Sequence, residues 1–244
     1  MQTYENFWDI FDGLMLGDGG VFPVSNNSLA YYRQSCKHKE YLVYLKNLAE
    51  QEKLVTCPSH PRQRIHYKKG TKNPICYSYT FDIRGSEEFG HARSRWYNNR
   101  IKFLPLDLIL TPSIVRQWYI GDGNLGYEGD YLKRLKFSTH NFTKEEVGIL
   151  KELLDFSIGV CSHIGASGDG HWVLEVYRGQ LNNILSYIGP CSHPCYQYKW
   201  ETDRKKYNYL KTHCLCPVFV KTISSEAVYD ETERSTTIPS GSTT

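Results

Sequence analysis

The chain has 244 residues, of which 40% are hydrophobic and 23% are charged, and its formal net charge is +3. These values are typical of a globular protein with one large domain or two ordinary ones, and no segment has the apolar length of a membrane span or the features of a signal peptide. Residues 1–20 carry four acidic and no basic side chains, whereas Pro61–Arg84 carries six basic side chains against one acidic, which favours an anionic partner.

The first predicted element is an apolar helix that ends in Gly17-Asp18-Gly19. Gly13 and Gly17 are four residues apart, so they form a stripe along which a second helix can approach closely. We expect Gly19 and Gly20 to stop the helix as C-terminal glycines do. Asp18 would then lie at a helix C-terminus, where the helix dipole disfavours a carboxylate unless a cation lies nearby.

The rest of the first half is predicted to contain two strand pairs and two helices. We place strands at Val21–Val24 and Leu29–Cys36 around a turn at 25–28, a helix from about Lys39, a loop at Cys57–Pro61, strands from Arg62 and at Ile75–Ile83 around a turn at Asn73-Pro74, and a helix capped by Ser86. In the second strand pair, alternation predicts that Ile65 and Tyr67 point inward.

The second half repeats this pattern. Thr111 and Pro112 open a helix that ends in Gly121-Asp122-Gly123. It is followed by a strand with Leu135 and Phe137 inward, a helix opened by the capping box at Thr143, a strand at Trp172–Val176 and a helix at Leu181–Ile188. Each half thus gives helix, two strands, helix, two strands, helix, with one motif aspartate. We infer an internal duplication with repeats at 1–104 and 105–216, and a disordered tail at 217–244.

The eight cysteines raise the question of a metal site. Zinc could in principle be held by the group Cys191, His193, Cys195, His213, Cys214 and Cys216. These spacings lack the paired C-x-x-C pattern, so we expect mostly reduced, packed cysteines and keep zinc as the less favoured alternative.

The doubled motif also carries a family resemblance. Together with the connecting residues Lys102–Pro105, Leu110–Pro112 and Trp118, and with Tyr198-Lys199, it resembles the single-chain, two-repeat LAGLIDADG homing endonucleases from about Phe7 to Trp200. The resemblance implies an α+β fold, a pseudo-twofold duplicated αββαββ arrangement. In it the motif helices pack at the centre and two curved antiparallel sheets form a saddle over double-stranded DNA. It also implies a monomer.

The same resemblance implies the site. Asp18 and Asp122 would ligand divalent ions, Mg²⁺ being expected, with the backbone of Gly17 and Gly121, and Lys102 and Lys199 would lie near the cut phosphates. Hydrolysis of a phosphodiester needs an activated water and charge neutralisation, which bound metals supply. Two positions depart from the family pattern: Gln117 stands where the first repeat has Gly13, and Asp12 occupies a position that is usually small.

Outward-facing strand residues are the predicted DNA contacts, because Arg, His and Ser can bond base edges in the major groove. They are Arg33, Arg62, Arg64, His66, Lys68, Ser78 and Thr80 in the first repeat, and Arg134, Lys136, Ser138, His171, Glu175 and Tyr177 in the second. The alternative is that these residues form the solvated faces of two sheets.

Three functions remain open at this point. The first is an intron-encoded endonuclease that cuts a long, specific DNA site. The second is a maturase of the same fold whose partner is host intron RNA, and the third is a DNA-binding regulator that does not cut. The presence of both Asp18 and Asp122 favours the first over the third. We expect no intein origin, since the motif begins near Met1 and a terminal His-Asn is missing, and a phage, bacterial, archaeal or organellar genome would all fit.

Overall fold

A computed structural model describes residues 5–24, 29–67, 72, 74–168 and 170–213 of the chain. The first repeat contains α1 (Phe7–Leu16), β1 (Gly20–Pro23), β2 (Ala30–Cys36), α2 (Lys39–Gln51), β3 (Thr56–Tyr67), β4 (Pro74–Ser86) and α3 (Glu87–Trp96). A short ribbon follows, formed by β5 (Tyr97–Asn98) and β6 (Ile101–Lys102).

The second repeat has the same order of elements. It contains α4 (Pro112–Asp122), β7 (Gly123–Glu128), β8 (Tyr131–Ser138), α5 (Lys144–Ile158), β9 (His163–Ala166), β10 (Trp172–Tyr177) and α6 (Leu181–Ile188). A 3-10 helix at Pro194–Trp200 and a last helix, α7 (Arg204–Thr212), complete the described part. Helix α7 is an addition to the predicted elements.

Each repeat builds one four-stranded antiparallel sheet. The strand orders are β1-β2-β4-β3 and β7-β8-β10-β9, so the two sheets have identical topology. The predicted duplicated αββαββ fold is therefore confirmed, while the repeat boundary at residue 104 stays a prediction. Along the described stretches, no helix combines the length and apolarity that crossing a membrane requires.

The predicted helix starts are also confirmed by their capping hydrogen bonds. Ser86 Oγ accepts from Phe89 N at the start of α3, and Thr111 Oγ1 accepts from Ile114 N at the start of α4. Thr143 forms the predicted capping box at the start of α5. These caps satisfy backbone N–H groups that have no partner within their own helix.

The two motif helices, α1 and α4, pack directly against each other, as the glycine stripe predicted. A Cβ atom on Gly13 would lie 2.3 Å from the carbonyl oxygen of Ile114 and 2.9 Å from Cβ of Gln117. Further along, a Cβ atom on Gly17 would lie 3.4 Å from Cα of Gly121. The departure at Gln117 is thus accommodated by the missing side chain of Gly13, and Gln117 Oε1 accepts a 2.6 Å hydrogen bond from the Tyr41 hydroxyl.

The glycines at the ends of the motif helices act differently from our prediction. The residue that ends α1, Gly17, has φ −93°, and the residue that ends α4, Gly123, has φ −81°, so neither end uses the left-handed conformation. Close packing explains the glycines instead. A Cβ atom on Gly19 would lie 2.7 Å from the Leu14 carbonyl oxygen, and one on Gly123 would lie 1.8 Å from the Tyr119 ring.

Two predictions about β3 were wrong. Cys57–Pro61 is part of this edge strand rather than a loop, and the register shifts between Cys57 and Arg62. An edge strand tolerates proline because its outer N–H groups need no partner in the sheet. Ile65 and Tyr67 do not enter the core, since they are 45% and 53% exposed.

Some predictions fall outside the described residues. These are the turn at 25–28, Asn73 in the second turn, the DNA contact Lys68, the cysteines Cys214 and Cys216, and the tail at 217–244.

Asp12, the second departure from the family pattern, accepts hydrogen bonds from two residues of α3, Arg95 and Trp96. It accepts hydrogen bonds of 2.6 and 2.9 Å from the Arg95 guanidinium and one of 3.0 Å from Trp96 Nε1. Arg95 also pairs with Asp107, whose side chain is 70% exposed. Asp12, at a position of α1 that a small residue usually occupies, therefore holds α3 against the motif helix.

We expect Asp12→Ala to lower the free energy of unfolding by about 2 kcal/mol, because it leaves the buried Trp96 N–H and part of Arg95 without an acceptor. Urea denaturation measures this value. Asp107→Ala removes the other carboxylate of the same arginine and should cost less than about 1 kcal/mol, since that pair is exposed. Equal losses for the two variants would contradict the account.

Candidate active site

The two motif aspartates lie where the ends of the motif helices meet. Asp122 is the last residue of α4, and Asp18 follows the end of α1 by two residues. A Cβ atom on Gly121 would lie 3.3 Å from Cα of Gly17 and 3.6 Å from the amide nitrogen of Asp18. One carboxylate from each repeat is thereby brought to the same place.

A lysine accompanies each of these helix ends. Lys199 is 6% exposed, and its Nζ donates to the carbonyl oxygens of Tyr119, Ile120 and Gly121 at 3.2, 2.6 and 3.2 Å. Its ammonium group therefore occupies the negative end of the α4 dipole. Lys102 Nζ donates to Gly19 O at 3.2 Å, just beyond the end of α1.

Tyr119 holds Lys199 from the other side. The Tyr119 hydroxyl donates a 2.6 Å hydrogen bond to the carbonyl oxygen of Lys199, while Lys199 Nζ donates to the carbonyl oxygen of Tyr119. This reciprocal pair ties the 3-10 helix at Pro194–Trp200 to α4. The buried lysine is thus fixed by both its backbone and its side chain.

The four charged groups influence one another's titration. Desolvation and, to a smaller extent, the neighbouring Asp18 carboxylate raise the pKa of Asp122 to about 7, although Lys199 and Lys102 oppose the shift. Desolvation also raises the pKa of Asp18, again opposed by both lysines. Burial lowers the pKa of Lys199 to about 7 and that of Lys102 to about 8, although both carboxylates favour the charged lysines.

The aspartates and Lys102 lie in a cleft of about 620 Å³ that both repeats line. Of the predicted DNA contacts, Arg33 and Ser138 also line it. Sequence reasoning missed other polar and aromatic lining residues: Phe22, Ser35, Tyr97, Arg100, His140 and Asn141. Ser35 could have been found, because it is two residues from Arg33 in the same strand and so lies on the same face.

In the first sheet, strand register places the described predicted contacts on one face. Directly opposed antiparallel residues lie on the same side of a sheet, and the opposed pairs are Arg33 and Asp82, Ser35 and Thr80, Arg62 and Thr80, and Arg64 and Ser78. Arg62, Arg64 and His66 are exposed, and His66 Nε2 shares a 2.8 Å hydrogen bond with Ser78 Oγ.

Thr80 is a correction within this set. It is 4% exposed, and its hydroxyl donates to the Gln34 carbonyl oxygen while it accepts from Ser35 Oγ. Its side chain is therefore covered by neighbouring strands and holds the sheet together rather than presenting a group to DNA.

The second sheet also gathers its predicted contacts on one face. Lys136 is opposed to Glu175, Arg134 to Tyr177 and Ser138 to Val173, and His171 precedes β10 with the same parity as Glu175. Glu175 is 9% exposed and pairs with Arg134, so it supports a neighbour rather than standing free on the surface. His171 and Tyr177 are exposed.

The donor set at the helix ends fits a hard divalent cation. Two carboxylates and the adjacent backbone carbonyl oxygens are oxygen donors, which Mg²⁺ binds together with water and substrate phosphates. Burial raises the pKa of both carboxylates, so a bound cation would stabilise their charged forms. Asp18, Asp122 and the backbone of Gly17 and Gly121 are the groups that would hold such ions.

We expect divalent-cation affinity to rise with pH up to about pH 7. Below that value Asp122 carries a proton that the cation must displace, so apparent affinity should fall by up to about tenfold per pH unit. The measurement is the Ca²⁺ concentration that half-saturates specific DNA binding between pH 5.5 and 8.5. Asp122→Asn should flatten this profile, and an equally steep profile in that variant would contradict the assignment.

Two cysteines of the zinc alternative, Cys214 and Cys216, lie outside the described residues. Among residues 5–213, apart from the short stretches left undescribed, no three His, Cys, Asp or Glu side chains are grouped so that they could hold a metal. The thiols of Cys36 and Cys191 instead each donate to the backbone carbonyl of the histidine two residues later, His38 and His193. Both cysteines are reduced and packed at the core, as expected.

Comparison with known proteins adds a family match. A family model described as the LAGLIDADG DNA endonuclease family matches residues 8–183. An uncharacterised protein of Methanocaldococcus jannaschii is 29% identical over 198 residues, which are 80% of this chain and 73% of that protein. The cytochrome b mRNA maturase bI2 of Debaryomyces hansenii is 29% identical over 194 residues, which are 77% of this chain and 70% of that protein.

A solved structure shows the same fold. The homing endonuclease I-WcaI, solved bound to its DNA recognition sequence, superposes with a TM-score of 0.72 at 18% identity. The match covers 83% of this chain and 90% of that one. At this identity the likeness concerns the fold alone.

Proposed function

The chain belongs to the LAGLIDADG DNA endonuclease family, and from that premise we propose that it is an intron-encoded, site-specific endonuclease. It would cut both strands of a long DNA target by metal-dependent phosphodiester hydrolysis. The observation that carries the proposal is the meeting of Asp18 and Asp122, one from each repeat, beside the contact of Gly17 with Gly121. A pair of carboxylates in a shared cleft can hold the divalent cations that would promote hydrolysis of two nearby phosphodiesters.

The chemistry divides between the cations and the chain. Bound Mg²⁺ would supply an activated water and neutralise charge on the reacting phosphate oxygens. Lys102 and Lys199 would add positive charge beside the same phosphates, and backbone carbonyl oxygens hold both ammonium groups at the ends of the motif helices. Because burial brings the pKa of Lys199 to about 7, its ammonium group can also release or regain a proton near neutrality.

The sheet faces would hold the DNA on either side of the cut. Exposed Arg62, Arg64 and His66 lie on the outer strand of the first sheet, whereas Arg33 lines the central cleft. Contacts are therefore spread from the cleft to the far edge of that sheet. In the second sheet the predicted contacts lie on β8 and on or beside β10, with Ser138 lining the cleft. Since one chain supplies both sheets and both carboxylates, we propose that it acts as a monomer.

RNA binding is the second candidate function. The relative from Debaryomyces hansenii is named a maturase and aligns over 77% of this chain. A maturase of this fold would bind host intron RNA through its basic surface and would not depend on both aspartates. The present chain retains both of them.

In vitro selection from a library of random DNA duplexes tests the proposal. The purified chain is incubated with Mg²⁺, and molecules cut on both strands are recovered and sequenced. The proposal predicts one enriched long site, with cleavage that disappears when Ca²⁺ replaces Mg²⁺. Specific binding without cutting would indicate a regulator, and binding confined to intron RNA would indicate a maturase.

A further inference from the structure

Two carboxylates lie on the faces of the sheets that would meet DNA. Asp82 in β4 is opposite Arg33 in β2, and Glu175 in β10 is opposite Lys136 in β8. Arg33 and Lys136 are equivalent, because each is paired with the second residue after its motif aspartate, Gly20 or Asn124. The two carboxylates therefore occupy equivalent positions in the two repeats.

A carboxylate on such a face opposes binding, because it repels DNA phosphates. Its presence at the same position in both sheets calls for a compensating role. In each sheet the carboxylate is engaged by an arginine that we predicted to contact DNA, Arg33 in the first and Arg134 in the second.

The first pair is bidentate. Arg33 Nε and Nη2 donate to the two Asp82 carboxylate oxygens at 2.6 and 2.8 Å. The guanidinium carbon also lies 5.6 Å from the Phe22 ring and 5.4 Å from the Tyr31 ring. A guanidinium has five N–H groups, so the Asp82 pair leaves three, and two of these point out from the end in the geometry of a bidentate contact to guanine.

The second pair has longer contacts than the first. Arg134 Nε is 3.3 Å from one Glu175 oxygen and Nη1 is 3.4 Å from the other. Two glycines make room for this pair. A Cβ atom on Gly126 would lie 3.1 Å from Arg134 Cγ, and one on Gly165 would lie 3.3 Å from Glu175 Cδ.

We propose that Asp82 and Glu175 are positioning residues for base recognition. Each carboxylate holds one arginine in a single orientation, so that the arginine's remaining N–H groups select a guanine in one half of the target. The carboxylate thereby increases discrimination between base pairs and decreases affinity for DNA in general. The inference rests on the proposed function. Arg33 is directly opposite its carboxylate, whereas Arg134 is two residues from Lys136, the residue opposite Glu175, so the two arginines would read different positions in the two half-sites.

The test is a binding profile measured with Ca²⁺ on a library of duplexes that carry every single substitution of the selected site. Arg33→Ala should abolish the preference for guanine at one position of the target. Asp82→Asn should reduce the preference at that same position by about tenfold. Glu175→Gln should do the same in the other half-site, at the position that Arg134→Ala affects. Both carboxylate variants should bind unrelated duplex DNA as tightly as wild type or more tightly.

Glu128→Gln is the matched control, because Glu128 pairs with Lys133 on the same sheet and Lys133 is not a predicted contact. It should leave the profile unchanged. Thermal unfolding midpoints within about 2 °C of wild type show that a changed profile is not a folding defect. Unchanged profiles in Asp82→Asn and Glu175→Gln, or a uniform loss across all sequences, overturn the inference. Failure of the wild-type chain to prefer any duplex contradicts the proposed function itself.

Discussion

Asp18→Asn and Asp122→Asn are each expected to slow DNA cleavage by about a thousandfold, while specific binding is retained. Each substitution removes an anionic ligand from the place where both repeats would hold divalent ions, and loss of one electrostatic contact to a transition state costs about a hundredfold to a thousandfold. Single-turnover cleavage of an end-labelled duplex with Mg²⁺ gives the rate, and fluorescence anisotropy with Ca²⁺ gives the affinity.

Asp18→Asn should also change the titration of the remaining aspartate. Asp18 is one cause of the raised pKa of Asp122, so Asp18→Asn should bring the pKa of Asp122 down towards its usual value. Asp107→Asn is the control, because it removes a carboxylate that is 70% exposed and pairs with Arg95 outside the cleft. Cleavage by either motif variant within about threefold of wild type would contradict the role of the aspartates.

Gly13→Ala is expected to lower the free energy of unfolding by about 3 kcal/mol. The new methyl group would lie 2.3 Å from the Ile114 carbonyl oxygen, which is part of a helix backbone and cannot turn aside as a side chain could. The motif helices would have to separate, and the contact of Gly17 with Gly121 would open as well. Urea denaturation reports the stability, and the same protein should lose cleavage because the two aspartates move apart.

Gly148→Ala is the matched control for this substitution. Gly148 also lies inside a helix, α5, but a Cβ atom there would meet nothing within 4 Å. Alanine at an open helical position stabilises by about 0.5–1 kcal/mol. Opposite signs for the two variants would show that helix contact, and not helix propensity, governs Gly13. A destabilisation below about 0.5 kcal/mol in Gly13→Ala would contradict the packing described here.

Much of the fold could be predicted because its signals are local. The caps at Ser86, Thr111 and Thr143 and the small residues of the motif depend on neighbours within one turn of a helix. The error at Cys57–Pro61 arose because proline was read as a strand breaker, although an edge strand accepts it. Exposed Ile65 shows a second limit of prediction from the sequence. Alternation separates the two faces of a strand, but it does not indicate which face is covered by other elements.

The site was less predictable than the fold. Asp18 and Asp122 could be selected because a motif repeats, whereas burial of Lys199 depends on three backbone carbonyls contributed by α4, about 80 residues earlier in the chain. Arg100 and His140 reach the cleft from the ribbon and from a loop, so no strand parity could indicate them. Pairing of Arg33 with Asp82 depends on the register between β2 and β4, which alternation alone does not determine.

The most direct test of the central claim is a time course on a supercoiled plasmid that carries one selected target site. The account predicts that the wild-type chain converts it to linear DNA with Mg²⁺ and leaves it uncut with Ca²⁺. Asp18→Asn and Asp122→Asn should yield at most nicked circles, because the carboxylates of both repeats are needed to cut both strands. Linear product from either variant at the wild-type rate, or from the wild-type chain without a divalent cation, would contradict a nuclease site shared between the two repeats.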